Sequence, residues 1–89
     1  MTMNLIYVTA LIVAMSGNMT LVQHKQGFQS HDECQAFLGF EGGVKYMEQS
    51  LWDYYGDRLK EVKQFSCMTR DEALANNKKL QEAQQGTDI

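Results

Sequence analysis

Leu5-Ile6-Tyr7-Val8-Thr9-Ala10-Leu11-Ile12-Val13-Ala14-Met15, followed by Ser16-Gly17-Asn18 and then Met19-Thr20-Leu21-Val22, decides the fold of this 89-residue chain. The first run is dense in β-branched and aromatic side chains, which suit a pleated backbone. Gly17 and Asn18 tolerate the positive φ that a tight turn between antiparallel strands requires, so the stretch reads as a β-hairpin. Strand one then covers about 5–15, and strand two runs from Met19 to about Gln26. Alternate residues of strand one are apolar on both faces: Ile6, Val8, Ala10 and Ile12 on one, Leu5, Tyr7, Leu11 and Val13 on the other. Strand one is therefore central, while strand two, polar from Gln23 through Gln26, reads as an edge.

At eleven residues the apolar run is too short for a transmembrane helix, which takes about 20, and no membrane contact is expected. Its length does match a signal-peptide core, with Ala14-Met15-Ser16 resembling a cleavage site, yet Met1-Thr2-Met3-Asn4 carries no Lys or Arg to orient such a peptide. The expected location is the cytoplasm. A secreted or periplasmic location is the alternative if residues 1–16 are a signal sequence.

Outward from the hairpin, Ser30-His31-Asp32-Glu33 is a capping box, with Phe28 placed to staple the helix it opens. Beyond it Phe37, Phe40, Val44, Met47, Leu51, Tyr55, Leu59 and Val62 keep one stripe at 100° per residue, across Gly39, Gly42 and Gly43. That phase predicts one long helix, with an interruption at the glycines as the alternative. Lys63 to Thr69 alternates as a short third strand, and Thr69-Arg70-Asp71-Glu72 is a second capping box. It opens a helix reaching about Gln84, with only Ala73, Leu74, Leu80 and Ala83 as apolar anchors. Gly86-Thr87-Asp88-Ile89 reads as a loose tail.

The expected fold class is α+β, in the order ββαβα. Residues 1–85 form one domain, with a small antiparallel sheet of order 2-1-3 covered by the long helix. Such a chain hides only about 60 to 65 % of its unfolded surface, so its stability is modest. The second sheet face needs the C-terminal helix or another subunit to cover it.

Charge narrows the possible partners. Residues 1–57 hold two Lys against six acids and residues 58–89 hold six Lys or Arg against five acids, for a net −3. Arg58, Lys60, Lys63 and Arg70 are interrupted by Glu61, Asp71 and Glu72, so the basic stripe that nucleic-acid binding uses is lacking.

Cys34, in the first turn of the long helix, and Cys67, on strand three, both point inward. They read equally well as a disulfide or as two buried thiols, the former adding about 3.8 kcal/mol in the chain-entropy description. His31 and Cys34 have metal-ligand spacing, with His24 and Cys67 available to complete a set. Zinc modules usually carry two closely spaced pairs, and no metal or other cofactor is expected. Glu41 and Glu48, at the margin of the apolar stripe, with Tyr55 further along it, are the candidate acid–base or ligand-binding groups. A carboxylate held against apolar neighbours at a subunit interface has its pKa raised. No nucleophilic triad and no phosphate-binding glycine loop stand beside them.

Trp52 and Tyr54 flank the stripe and are the candidate interface anchors. Gly39 and Gly43, four apart, allow a second backbone to approach, in this molecule or another copy. The hairpin with a later capped Cys helix resembles short reading frames of bacteria and their viruses, which implies an accessory role. The leading expectation is a non-enzymatic interaction protein that self-associates and binds a protein partner. The rivals are a small enzyme or ligand binder using Glu48, Glu41 and Tyr55, and a secreted domain held by a Cys34–Cys67 bridge.

Phe37 lies mid-stripe and Tyr46 nearly opposite. Phe37→Ala is expected to cost about 3 to 5 kcal/mol in urea denaturation and Tyr46→Ala much less; equal, mild losses would break the phasing.

Overall fold

Ile6–Ala14 (β1) pairs on both of its edges, with Met19–Phe28 (β2) on one side and Leu59–Thr69 (β3) on the other, both antiparallel. The strand order is β2-β1-β3, the expected 2-1-3. This computed structural model describes residues 5–85; residues 1–4 and the tail read at 86–89 lie outside the described residues. The hairpin turn closes through the Gly17 amide donating to the Ala14 carbonyl at 2.8 Å, and Gly17 sits at φ +94°. A side chain is strained there, which is why glycine stands at this position.

Two features bend the sheet. Between Tyr7 and Thr9 the pairing with β2 shifts register, so that His24, Lys25 and Gln26 bulge opposite Val8. On the other edge the pairing shifts twice, between Leu11 and Ile12 and between Val13 and Ala14. Bulges of this kind put Lys63 and Lys60 out of register and blunt the outer edge of β3.

The helical layer departs from the single long helix expected. His31–Gly39 (α1) and Glu41–Tyr55 (α2) are separate helices, broken at Phe40, whose backbone is extended at φ −83°, ψ 122°. Phe40 ends one helix and starts the next. Its amide donates back to Ala36 and Phe37, and its carbonyl accepts from the Gly43 amide. The side chain that the stripe placed inside is 67 % exposed. Gly43 explains the kink, because a Cβ there would collide with the Phe37 carbonyl oxygen. The close backbone approach predicted for the Gly39/Gly43 pair thus occurs inside the chain and at Gly43, which is buried.

The stripe fails at its far end too. α2 stops at Gly56, in the positive-φ region at +55°, and after a 3-10 turn over Gly56–Arg58 the residues Leu59 and Val62 belong to β3. They face the core by strand geometry, so their helical phase is coincidental. Two helices packed on one sheet must share a core-facing side, and a 100° stripe does not distinguish them from one helix.

Cys34 and Cys67 form a disulfide, with Cα atoms 6.1 Å apart, and this bond fastens α1 to β3. Cys34 is fully buried with Ile6, Val8 and Met47, against Phe28, Phe37 and Leu38. A second cluster of Ala10, Ile12 and Leu59 sits beneath Leu51 and Tyr55.

Arg70–Gln85 (α3) covers the other sheet face and packs mainly on β2. Of the four apolar anchors expected, Ala73 is buried and Leu80 half-buried, while Leu74 and Ala83 are exposed. The helix docks instead through amides. Asn77 Oδ1 accepts from the Leu21 amide at 3.1 Å and Gln84 Oε1 from the Met19 amide at 2.6 Å. Gln81 and Gln84 both donate to the Met19 carbonyl at 3.0 Å. These are backbone groups of the outer edge of β2, so α3 caps the start of that edge, at Met19 and Leu21, as well as covering the face.

The second capping box forms in full, Thr69 and Glu72 bonding reciprocally. In the first, Ser30 Oγ accepts from the Glu33 amide as expected, but the Glu33 carboxylate accepts from the Gln29 amide one residue earlier than the Ser30 amide a capping box uses. Among the described residues no helix is long and apolar enough to cross a membrane.

Two of the three glycines at the α1–α2 junction, Gly39 and Gly43, respond oppositely to alanine. A Cβ added at Gly39 would meet nothing within 4 Å, and its φ is ordinary, so Gly39→Ala should stabilise by about 0.5 to 1 kcal/mol. Gly43→Ala forces a side chain against backbone and should destabilise by about 1 to 3 kcal/mol. Urea midpoints of the two variants against the parent check the pair; like signs would refute the junction.

Candidate functional site

α2 lies toward β3, while β2 bulges at residues 24–26, and the two leave an apolar groove between them. Its floor is Val8 and Ala10 of β1, Val22 of β2 and Phe65 of β3; its wall is Met47, Leu51, Tyr54 and Tyr55 of α2. The volume is about 490 Å³. A second groove of about 410 Å³ continues past Met47 and His24 toward Phe28, Phe37 and Phe40. His24 and Met47 line both, and the His24 and Tyr46 rings meet edge to face there at 6.2 Å.

Polar groups gather at the rim. His24 Nδ1 accepts from the Gln26 amide at 3.2 Å, which leaves Nε2–H as the donor of the neutral ring. Lys25 lines the larger groove beside it, and among the described residues no Asp or Glu lines either one. Ser50 Oγ donates to the Tyr46 carbonyl at 2.9 Å, so its proton is already engaged.

The residues singled out from sequence fall into separate places. Tyr54 is 74 % exposed, lines the groove and packs edge to face on Tyr55 at 4.8 Å. Trp52 is exposed on α2 but lines neither groove. Glu41 pairs with Lys45 at 3.3 Å on the solvent side, and Glu48 is exposed; neither lines a groove, so the two carboxylates do not converge with Tyr55. Cys34 and Cys67 are bonded to each other, and among the described residues no three His, Cys, Asp or Glu side chains come together as a metal site.

Sequence reasoning missed the groove because it assigned the uncovered apolar surface to the other sheet face. The signal was present in the spacing of Asn77, Gln81 and Gln84. These amides recur on one side of α3, a helix whose composition reads as too polar to dock.

The chain matches no protein-family model, no curated protein and no solved structure.

Partial burial raises the Tyr55 phenol above its ordinary pKa, the neighbouring Tyr54 adds to the rise, and the Arg58 guanidinium 5.7 Å from the ring centroid opposes it. A raised folded-state pKa means that the protonated phenol favours the folded chain. This contribution is complete below the unfolded value near pH 10 and declines as pH rises through the folded value. Stability measured from pH 8 upward should therefore fall on the alkaline side, and Tyr55→Phe should make that decline shallower. An unchanged slope would show that the phenol ionises as freely in the folded chain as in the unfolded one.

Proposed function

We propose that the chain is a small non-enzymatic interaction protein that self-associates and acts by binding another macromolecule through the aromatic rim of the β2–α2 groove. One observation carries this reading: three large, exposed aromatic side chains line two neighbouring apolar grooves that share His24 and Met47, Tyr54 on one and Phe40 and Tyr46 on the other. Aromatic side chains bury much area at small entropic cost, and exposed apolar patches on a small soluble chain are usually contact surfaces. Self-contact through the second sheet face loses its argument, since α3 covers that face; the aromatic rim takes its place. The exposed positions of Glu41 and Glu48, away from the groove, favour binding over catalysis.

A second reading rests on the Cys34–Cys67 bond. Disulfides persist in oxidising compartments, which supports a secreted or periplasmic setting for a domain of this size. A chain without residues 1–16 would lack β1, so that setting is compatible with this fold only if those residues are retained.

Sedimentation equilibrium at about 100 µM, a concentration that populates associations of micromolar Kd, tests the leading reading. A mass above the 10.2 kDa of one chain is expected, returning toward it in the Phe40→Ser, Tyr54→Ser double variant, whose exposed positions leave the core intact. A monomeric parent chain would end the self-association proposal.

A further inference from the structure

The start of the β2 edge, where α3 caps it, has the form of a strand-pairing site already filled by side chains. Gln84 holds Met19 in a ring of two hydrogen bonds. Its Oε1 accepts from the Met19 amide at 2.6 Å, and its Nε2 donates to the Met19 carbonyl at 3.0 Å. Two residues facing each other in a hydrogen-bonded antiparallel pair make the same exchange through their backbones. One ladder repeat further on, the Leu21 amide donates to Asn77 Oδ1 at 3.1 Å. α3 thus offers β2 carboxamides where a neighbouring strand would offer peptide groups.

Alternation sets which groups of this edge face outward. The Asn18 carbonyl accepts from the Ala14 amide, and residues 19–23 pair with β1 without a register shift. The backbone groups of Thr20 and Val22 therefore face β1, and those of Met19, Leu21 and Gln23 face away from it.

α3 holds this cover in place with little apolar burial. Beyond the buried Ala73, its core-facing apolar side chain is the half-buried Leu80, and amide contacts supply the remaining grip. Segments with few buried apolar contacts open before the core does.

The edge is complementary to itself. Turned about a two-fold axis at Leu21, two copies set Leu21 opposite Leu21, Met19 opposite Gln23 and Thr20 opposite Val22. Residues 19–23 carry no charge, so like charges do not meet, and Thr20 and Val22 are β-branched residues suited to cross-strand packing. The bulge at 24–26 ends the ladder and leaves the Lys25 side chains of the two copies at opposite ends of the joint. Three pairs of two bonds each would serve both copies, against four amide bonds that α3 gives to each one. The exchange of bonds does not by itself favour opening, so the intramolecular cover prevails in the parent chain.

We infer that residues 19–23 of β2 are a gated pairing site for the same edge of a second copy of this chain, kept shut by Asn77, Gln81 and Gln84. This site is separate from the aromatic rim.

Removing the gate in the full chain tests the inference. Asn77→Ala, Gln81→Ala, Gln84→Ala deletes the amides and keeps helix propensity high. Combining it with Phe40→Ser, Tyr54→Ser silences the rim and isolates the edge. In sedimentation equilibrium at about 100 µM the combined variant should approach twice the 10.2 kDa of one chain. Hydrogen exchange at the Met19 and Leu21 amides should be at least about tenfold faster in the dilute combined variant than in the rim variant, and slow again in the dimer. Leu21→Pro removes an outward N–H at an edge position where proline is tolerated, and should return the combined variant to a monomer that circular dichroism shows folded. A monomeric combined variant overturns the inference. So does a dimer or aggregate whose Met19 and Leu21 amides exchange freely, and so does a dimer that survives folded Leu21→Pro; where the proline variant does not fold, the amide exchange decides. The rim is tested in the chain with its α3 amides intact, so either proposal can fail while the other stands.

Discussion

β1 is apolar on both faces and hydrogen-bonded on both edges, and every other element is placed by the need to satisfy it. A strand with Ile6, Val8, Ala10 and Ile12 on one side and Leu11 and Val13 on the other does not sit at the edge of a sheet or against water on either face. Pairing with β2 and β3 consumes its backbone groups; two helical layers must then cover its side chains. Thr9, fully buried between them, is a polar residue within this core. It is satisfied locally, with its hydroxyl donating to the Tyr7 carbonyl at 3.2 Å and accepting from Gln23 Nε2 at 3.0 Å. Gln23 also reaches the Met68 and Thr69 carbonyls, so one side chain of β2 links all three strands across that face.

The two covers are built by different physics. On the first face the disulfide holds α1 against β3, and the cross-link shortens the unfolded chain across 33 residues of separation. α2 then leaves the junction at an angle set by the contact between Gly43 and the Phe37 carbonyl, and comes to lie nearer β3 than β2. The groove is the residue of that geometry: two helices fastened on one side of a three-stranded sheet do not reach across its full width. The bulge at residues 24–26 widens the gap where His24 and Lys25 stand.

What the sequence disclosed was whatever depends on near neighbours in the chain. The hairpin needed only Gly17 and the alternation beside it; the capping boxes needed four residues each; the order 2-1-3 followed from the double-faced strand. What it concealed depended on contacts between distant segments. Gly43 became necessary because of where Phe37 is placed, and no helical wheel contains that information. Gly56 was a legible stop signal, overridden by a stripe that continued into β3 by chance. For the candidate site, Tyr54 was readable as an exposed anchor and Tyr55 as part of the apolar side. The carboxylates chosen beside them point to solvent, because a position at the margin of a stripe does not say on which side the sheet ends.

α3 shows most clearly why apolar anchors alone are a poor measure of docking. Each of its amide contacts to Met19 and Leu21 is worth only about 0.5 to 1.5 kcal/mol net, which does not exceed a buried leucine. Their importance lies in what they occupy. An open β2 edge with unpaired Met19 and Leu21 groups is a template for another strand, and a leucine in place of Asn77 or Gln81 would cover the sheet face while leaving that template bare. By committing side-chain amides to the edge, the chain closes one route of association on β2, while the bulges beside Lys60 and Lys63 blunt the β3 edge. Where Met19 and Leu21 are capped, contact with other molecules is turned from backbone pairing toward side-chain surfaces, and the groove between β2 and α2, with its aromatic rim, is one surface of that kind which the described residues leave uncovered.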